Sequence, residues 1–204
     1  MPLTNPPDIP GICERDIDLL LLEEVWCSRT FCKWLVPHCA LTATDIDELV
    51  EVRRSVTQSN GESDLELVFG TTQGGLVRVL IENKVDAGFQ RDQAARYRER
   101  AKIYAAEADC LEATTLLIAP AVYLGDAGNA LGFDAVLTYE EIRSWFTASP
   151  SDARATYKAA VLTAAINKAT IGYNPIANDE SPRDCRRLPE LRGWEYDKAQ
   201  AVFS

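Results

Sequence analysis

Between Asp64 and Val85 the chain carries two short apolar runs separated by Thr71-Thr72-Gln73-Gly74-Gly75, and the second run ends in Glu82-Asn83-Lys84. Two runs of this kind with a glycine-containing turn between them fold back as a β-hairpin. The second strand, predicted over 76–85, alternates Val77, Val79 and Ile81 with Arg78, Glu82 and Lys84. Residues two apart share a face of a strand, so Glu82 and Lys84 point one way and Ile81, Asn83 and Val85 the other. Pairing about the turn sets Asp64 opposite roughly Asn83. Two carboxylates and an ammonium group, distant in sequence, therefore meet at one end of the sheet.

That pattern suits phosphodiester chemistry. Carboxylate oxygens hold Mg²⁺ through one or two ligands and leave its other positions to water and phosphate. The ion polarises the phosphate and lowers the pKa of a bound water, and a nearby lysine stabilises charge developing on the phosphate oxygens. The plainer alternative is a surface strand bearing an acid–lysine pair.

The surrounding elements narrow the choice. The spacing of Leu19, Leu22, Val25, Trp26, Phe31 and Leu35 predicts a helix over 16–36, stopped by Pro37. Strands follow over 49–57 and 64–70, with a turn cluster at 58–63, and then the strand over 76–85. A long helix is predicted over 89–108, a buried strand over 114–119, a short strand over 134–137, and a helix opened by a capping box at Thr138 and Glu141. A last helix spans 151–171. The organisation expected is a proline-rich leader (1–13), one α/β domain (14–172) and an extension of unknown role (173–204).

This α-β-β-β-α-β order, with Asp64 opening the second strand and Glu82-Asn83-Lys84 closing the third, resembles the PD-(D/E)XK nuclease superfamily. The resemblance implies a restriction-endonuclease-like fold, a mixed central sheet flanked by helices. It also implies metal-dependent cleavage of nucleic acid, DNA being the expected substrate, with Asp64, Glu82 and Lys84 catalytic. Mg²⁺ is the expected ion, and Mn²⁺ is expected to substitute. Ser63 stands where the motif's name has proline, a frequent departure. Gln93 and Tyr97 resemble the QxxxY motif of nucleases from bacterial recombination complexes. Helical spacing places the two on one face, to hydrogen-bond near the site and touch nucleic acid, although Tyr97 also fits a core position. Glu14-Arg15 resembles the helix-opening Glu-Arg of archaeal junction resolvases, which makes Glu14 a third metal ligand. Acids also suit a helix N-terminus for dipole reasons alone, and Glu23 or Glu24 offers the same group one face away.

Composition bears on partners. The formal net charge is −10, against the basic balance usual in nucleic-acid binders. The helix after the Glu82 strand holds Arg91, Arg96, Arg98, Arg100 and Lys102, and Arg96 and Arg100, four apart, are the expected phosphate contacts. A homodimer or partner subunit is expected to supply further basic surface. Six cysteines without a CxxC pair, and a single histidine, His38, argue against structural zinc and favour reduced, mostly buried thiols. With no signal-peptide pattern and no long apolar run, the expected location is cytoplasmic and away from membranes. No phosphate-binding GxxxxGK[ST] loop and no GxSxG elbow is present. Two other readings stay open: a catalytically inactive nuclease-like interaction module, and an acidic protein that binds a basic partner.

Overall fold

The computed structural model describes residues 8–43, 45–58, 61–88, 90, 92–124, 132–148 and 152–172. Most of the leader and the whole 173–204 extension lie outside them, as do Phe89 and Arg91. Two short helices, α1 (Glu14–Cys27) and α2 (Arg29–Leu35), precede a 3-10 turn over Val36–His38. Strands β1 (Ile46–Gln58), β2 (Gly61–Thr71) and β3 (Leu76–Asn83) follow, then α3 (Gln93–Ala105) and β4 (Cys110–Ala119). The chain continues with α4 (Ala121–Leu124), β5 (Ala135–Thr138), α5 (Tyr139–Thr147) and α6 (Ala153–Gly172).

The five strands lie in the order β1-β2-β3-β4-β5. The first three form an antiparallel meander, and β4 and β5 add in parallel. The sheet is therefore mixed and flanked by helices, the α/β architecture expected from the order of elements. Each face has its own core. Leu65, Leu67, Phe69, Val79, Ile81 and Val85 pack with Ile17, Leu21 and Val25 of α1 and with α5 and α6. Leu80 and Leu117 pack on the other face with Tyr97, Ala101 and Tyr104 of α3. Covered on both sides, β4 has Leu116, Leu117, Ile118 and Ala119 all fully buried, which explains its unbroken apolar run. Each of the three larger side chains contributes about 1.5–3 kcal/mol by leaving water.

Several boundaries differ from the sequence expectation, for local reasons. The helix expected over 16–36 breaks at Ser28, whose extended backbone lets its Oγ accept the Phe31 N–H at 3.2 Å and start α2. Within α1 the buried face is that of Ile17, Leu20, Leu21 and Val25, so Leu19 and Trp26, expected on the apolar face, stand 44% and 70% exposed. The turn expected over 58–63 is narrower, because Gln58 already pairs with Gly61. Helix α3 begins at Gln93, after the left-handed Asp92 (φ 56°). The capping box of α5 is present as expected, Thr138 and Glu141 bonding reciprocally. Ile12, assigned to the leader, is 4% exposed and belongs to the core. Among the described residues no helix is long and apolar enough to cross a membrane.

Candidate metal centre

Strands β2 and β3 pair with Leu65 across from Ile81. Continued by one residue, that register sets Asp64 across from Glu82, one place short of the expected partner Asn83. The Asn83 N–H reaches back to the Asp64 Oδ2 at 2.8 Å, so the carboxylate is held at the hairpin's open end. On the far side of β2 the ladder pairs Arg54 with Leu65 and Val56 with Ser63. Between them, across from Asp64, Ser55 takes a left-handed φ of 52°. Such a conformation is strained for a residue with a Cβ, and strain of this kind gathers at functional sites.

Glu82 and Lys84 emerge on the α3 face, as period-2 geometry requires. Lys84 Nζ lies 2.8 Å from Glu82 Oε1, and both side chains are buried, 8% and 3% exposed. The same Glu82 oxygen accepts a 2.6 Å hydrogen bond from Gln93 Nε2 at the start of α3. One turn on, the Tyr97 hydroxyl accepts the Asp64 N–H at 3.3 Å and donates to the Ile81 carbonyl at 3.2 Å. Gln93 and Tyr97 thus act together, but from behind the carboxylates. At 8% and 1% exposed they are buried behind the site, which agrees with the core alternative for Tyr97.

From the opposite face α1 brings its first turn to the same place. Glu14 Oε1 accepts the Val85 N–H at 3.3 Å. Asp18, one turn further, is 5% exposed and accepts from Asn83 Nδ2 at 2.9 Å. Asp18, Asn83 and Tyr139 escape a reading of the sequence, because only tertiary packing reveals a buried polar group. The sole signal for Asp18 is its four-residue spacing from Glu14. Glu23 and Glu24 lie elsewhere and pair with Arg154 and Lys158 of α6.

The electrostatics follow from the burial of these acids, with Glu82, Glu14 and Asp64 acting on the Lys84 ammonium and Arg54 acting on Asp18. Burial first, then the charge of Glu82, raises Asp64 above the ordinary carboxylate range. Burial likewise lifts Glu14, and it moves Asp18 to about 6 despite the Asn83 hydrogen bond. Burial works against the charged form of Lys84, but the charges of Glu82, Glu14 and Asp64 outweigh it, and the ammonium is held more firmly than usual.

A divalent cation suits this donor set. All the available side-chain donors are carboxylate oxygens, the ligands Mg²⁺ prefers, and their negative charge exceeds what Lys84 offsets. Among the described residues no three His, Cys, Asp or Glu side chains are already gathered for a metal ion. The Lys84 and Gln93 groups on Glu82 Oε1 give a physical reason, and one or two carboxylates suffice for Mg²⁺.

The expected phosphate pair on α3 divides. Arg96 is half-buried, bonding Gln90 Oε1 at 2.9 Å. Arg100 is 1% exposed, with its guanidinium 4.3 Å over the Tyr97 ring and Nη2 bonded to the Glu62 carbonyl at 3.0 Å. Its guanidinium is committed to the packing of α3 and is not presented to solvent. Arg98 and Lys102 are exposed, and Arg91 lies outside the described residues.

A mixed sheet whose central hairpin presents an acid, a second acid and a lysine defines a nuclease-like α/β protein. Comparison with protein families agrees: the PD-(D/E)XK nuclease superfamily matches over residues 26–165, more than half of the chain. The chain belongs to that superfamily. The match takes in Asp64, Glu82, Lys84, Gln93 and Tyr97, and leaves Glu14 and Asp18 outside it. Comparison with curated proteins and with solved structures finds no match.

Proposed function

We propose that the chain is a divalent-metal-dependent nuclease that hydrolyses phosphodiester bonds in DNA, with Mg²⁺ as its ion and Mn²⁺ able to replace it. The observation that carries this reading is the meeting of Asp64, Glu82 and Lys84 at one end of the β2–β3 hairpin, with Lys84 2.8 Å from Glu82. Asp64, Glu82 and Glu14 are the residues that would hold the ion. A bound ion supplies Lewis-acid polarisation of the phosphate and a water of lowered pKa.

The remaining work belongs to the chain itself. Lys84, fixed by Glu82, offers its ammonium to the negative charge that grows on the phosphate oxygens. Gln93 fixes the Glu82 carboxylate, and Tyr97 and Asn83 fix Asp64, so the acids need little reorganisation when substrate arrives. Arg96, Arg98 and Arg15 are the cations proposed to meet the substrate backbone. A second copy or a partner subunit would add the basic surface that a chain of net charge −10 lacks.

The test is incubation with supercoiled, linear duplex and single-stranded DNA, and with RNA, in Mg²⁺ or Mn²⁺. Cleavage should depend on the ion and vanish in both Asp64→Ala and Glu82→Ala. Cutting by both variants at the wild-type rate would refute the site. A wild-type chain that binds the ion yet cuts none of these substrates would instead favour the inactive interaction module.

A further inference from the structure

Strand alternation leads one to expect an apolar residue at position 83. Its neighbours on the same face, Ile81 and Val85, are both in the core beneath α1 and α6. Asn83 stands between them, fully buried. A buried amide without partners costs about a few kcal/mol, so its hydrogen bonds decide whether it is tolerated there.

The backbone N–H and both side-chain polar atoms of Asn83 are committed to the site or its frame. Its backbone N–H bonds Asp64 Oδ2 at 2.8 Å. Its Nδ2 makes two bonds of 2.9 Å, to the Glu14 carbonyl and to Asp18 Oδ1, both in α1. Its Oδ1 accepts from the Tyr139 hydroxyl at the start of α5. Two acceptors on one side and a donor on the other fix which way the amide points. Tyr139 is itself fully buried, so it has no solvent to turn to.

We propose that Asn83 is a positioning residue for the metal centre, joining the first turn of α1 to the β2–β3 hairpin so that Glu14 meets Asp64 and Glu82. This rests on the proposed metal-dependent function. Glu14 and Asp64 sit on different elements, and the described hydrogen bonds joining those elements near the site run through Asn83 or through the neighbouring Val85 N–H. The Asn83 amide reaches α1 at two points four residues apart, which fixes the helix along its length as well as its distance. Tyr139 acts one step further back, by keeping the amide from turning over. Partners of this kind behind a ligand set typically change metal affinity by about 10–100-fold when removed.

The experiment is Mn²⁺ binding by calorimetry, far below the melting temperature, for the wild type, Asn83→Leu and Tyr139→Phe. Tyr104→Phe is the control, because it also deletes a buried hydroxyl, one bonded to Glu66 Oε2 at 2.8 Å on the other face of the sheet. Asn83→Leu should bind Mn²⁺ about 10–100-fold more weakly, with Tyr104→Phe at the wild-type affinity. Wild-type affinity in Asn83→Leu would overturn the proposal, and so would equal weakening in Tyr104→Phe, which marks general loosening. If Asn83→Leu does not fold, Tyr139→Phe decides by the same criterion. A wild type that binds no Mn²⁺ would remove the metal-centre reading along with this one.

Discussion

Lys84 sits among more negative charge than it can neutralise, and that imbalance makes separate tests of each residue possible. Lys84→Ala should leave Mn²⁺ binding in place while cleavage falls by about 100-fold or more, the scale of a lost transition-state contact. Parallel loss of ion affinity and rate would assign Lys84 to the frame. Asp18 gives a test that needs no substrate. Its folded value of about 6 exceeds the ordinary 3.8, so the folded protein holds a proton that the unfolded chain releases. In metal-free solution stability should therefore fall as pH rises from about 4 to about 6, by at most about 3 kcal/mol. Urea denaturation of Asp18→Asn should show that slope flattened, and an unchanged slope would rule Asp18 out as its source. Asp64, Glu82 and Lys84 were legible in the sequence because charges at the end of an apolar strand have no packing reason to be there. Asn83 was not, since an amide reads as surface until its neighbours are known. Asp64 lies one place from its expected partner because the register is set by turn hydrogen bonds that composition does not reveal.

Elements were easier to place than the faces they bury. All five strands and the capping box of α5 were anticipated, because β-branched runs, glycine turns and Thr-x-x-Glu spacing are local signals. Helix α3 shows the limit. Four-residue spacing puts Arg96 and Arg100 on one face, but it does not say that the Tyr97 ring and the Glu62 carbonyl draw Arg100 inward. The two arginines should now behave differently. Arg100→Ala should lower the melting temperature and leave the salt dependence of DNA binding alone. Arg96→Ala combined with Arg98→Ala should reduce the slope of log affinity against log salt by about two, with little loss of stability. The reverse pattern would show that the guanidinium of Arg100 reaches the substrate. The split of the first helix at Ser28 went unread because serine is equally at home inside a helix and at its start. Ser28→Ala should cost about 1 kcal/mol in urea denaturation, the usual value of an N-cap, and no cost would mean that the α1–α2 break is set by packing alone.

At the scale of the whole molecule the difficulty is that an acidic chain is proposed to bind a polyanion. Glu14, Asp64 and Glu82 act on the single ammonium of Lys84, Asp18 has Arg54 as its cationic neighbour, and the formal charge of −10 adds repulsion at longer range. The described cations do not reverse this. Arg154 and Lys158 pair with Glu23 and Glu24 to fasten α6 to α1, and Lys168 pairs with Asp86 and bonds the Ile12 carbonyl. They hold the frame around the site and are not free for phosphates. Lys84 and Arg54 already act on these carboxylates and leave them buried and raised, so the divalent ion should control substrate binding as well as cleavage. The Lys84→Ala protein makes this measurable, because substrate survives the titration. Fluorescence anisotropy with duplex DNA should give an affinity at least about 10-fold higher with Ca²⁺ than with EDTA, since a bound cation turns repulsion at the site into attraction. Asp64→Ala added to Lys84→Ala should remove most of that difference. Equal binding with Ca²⁺ and EDTA would mean that DNA is held away from the acids, on a surface that a second chain supplies, and the ion would then matter to the chemical step alone.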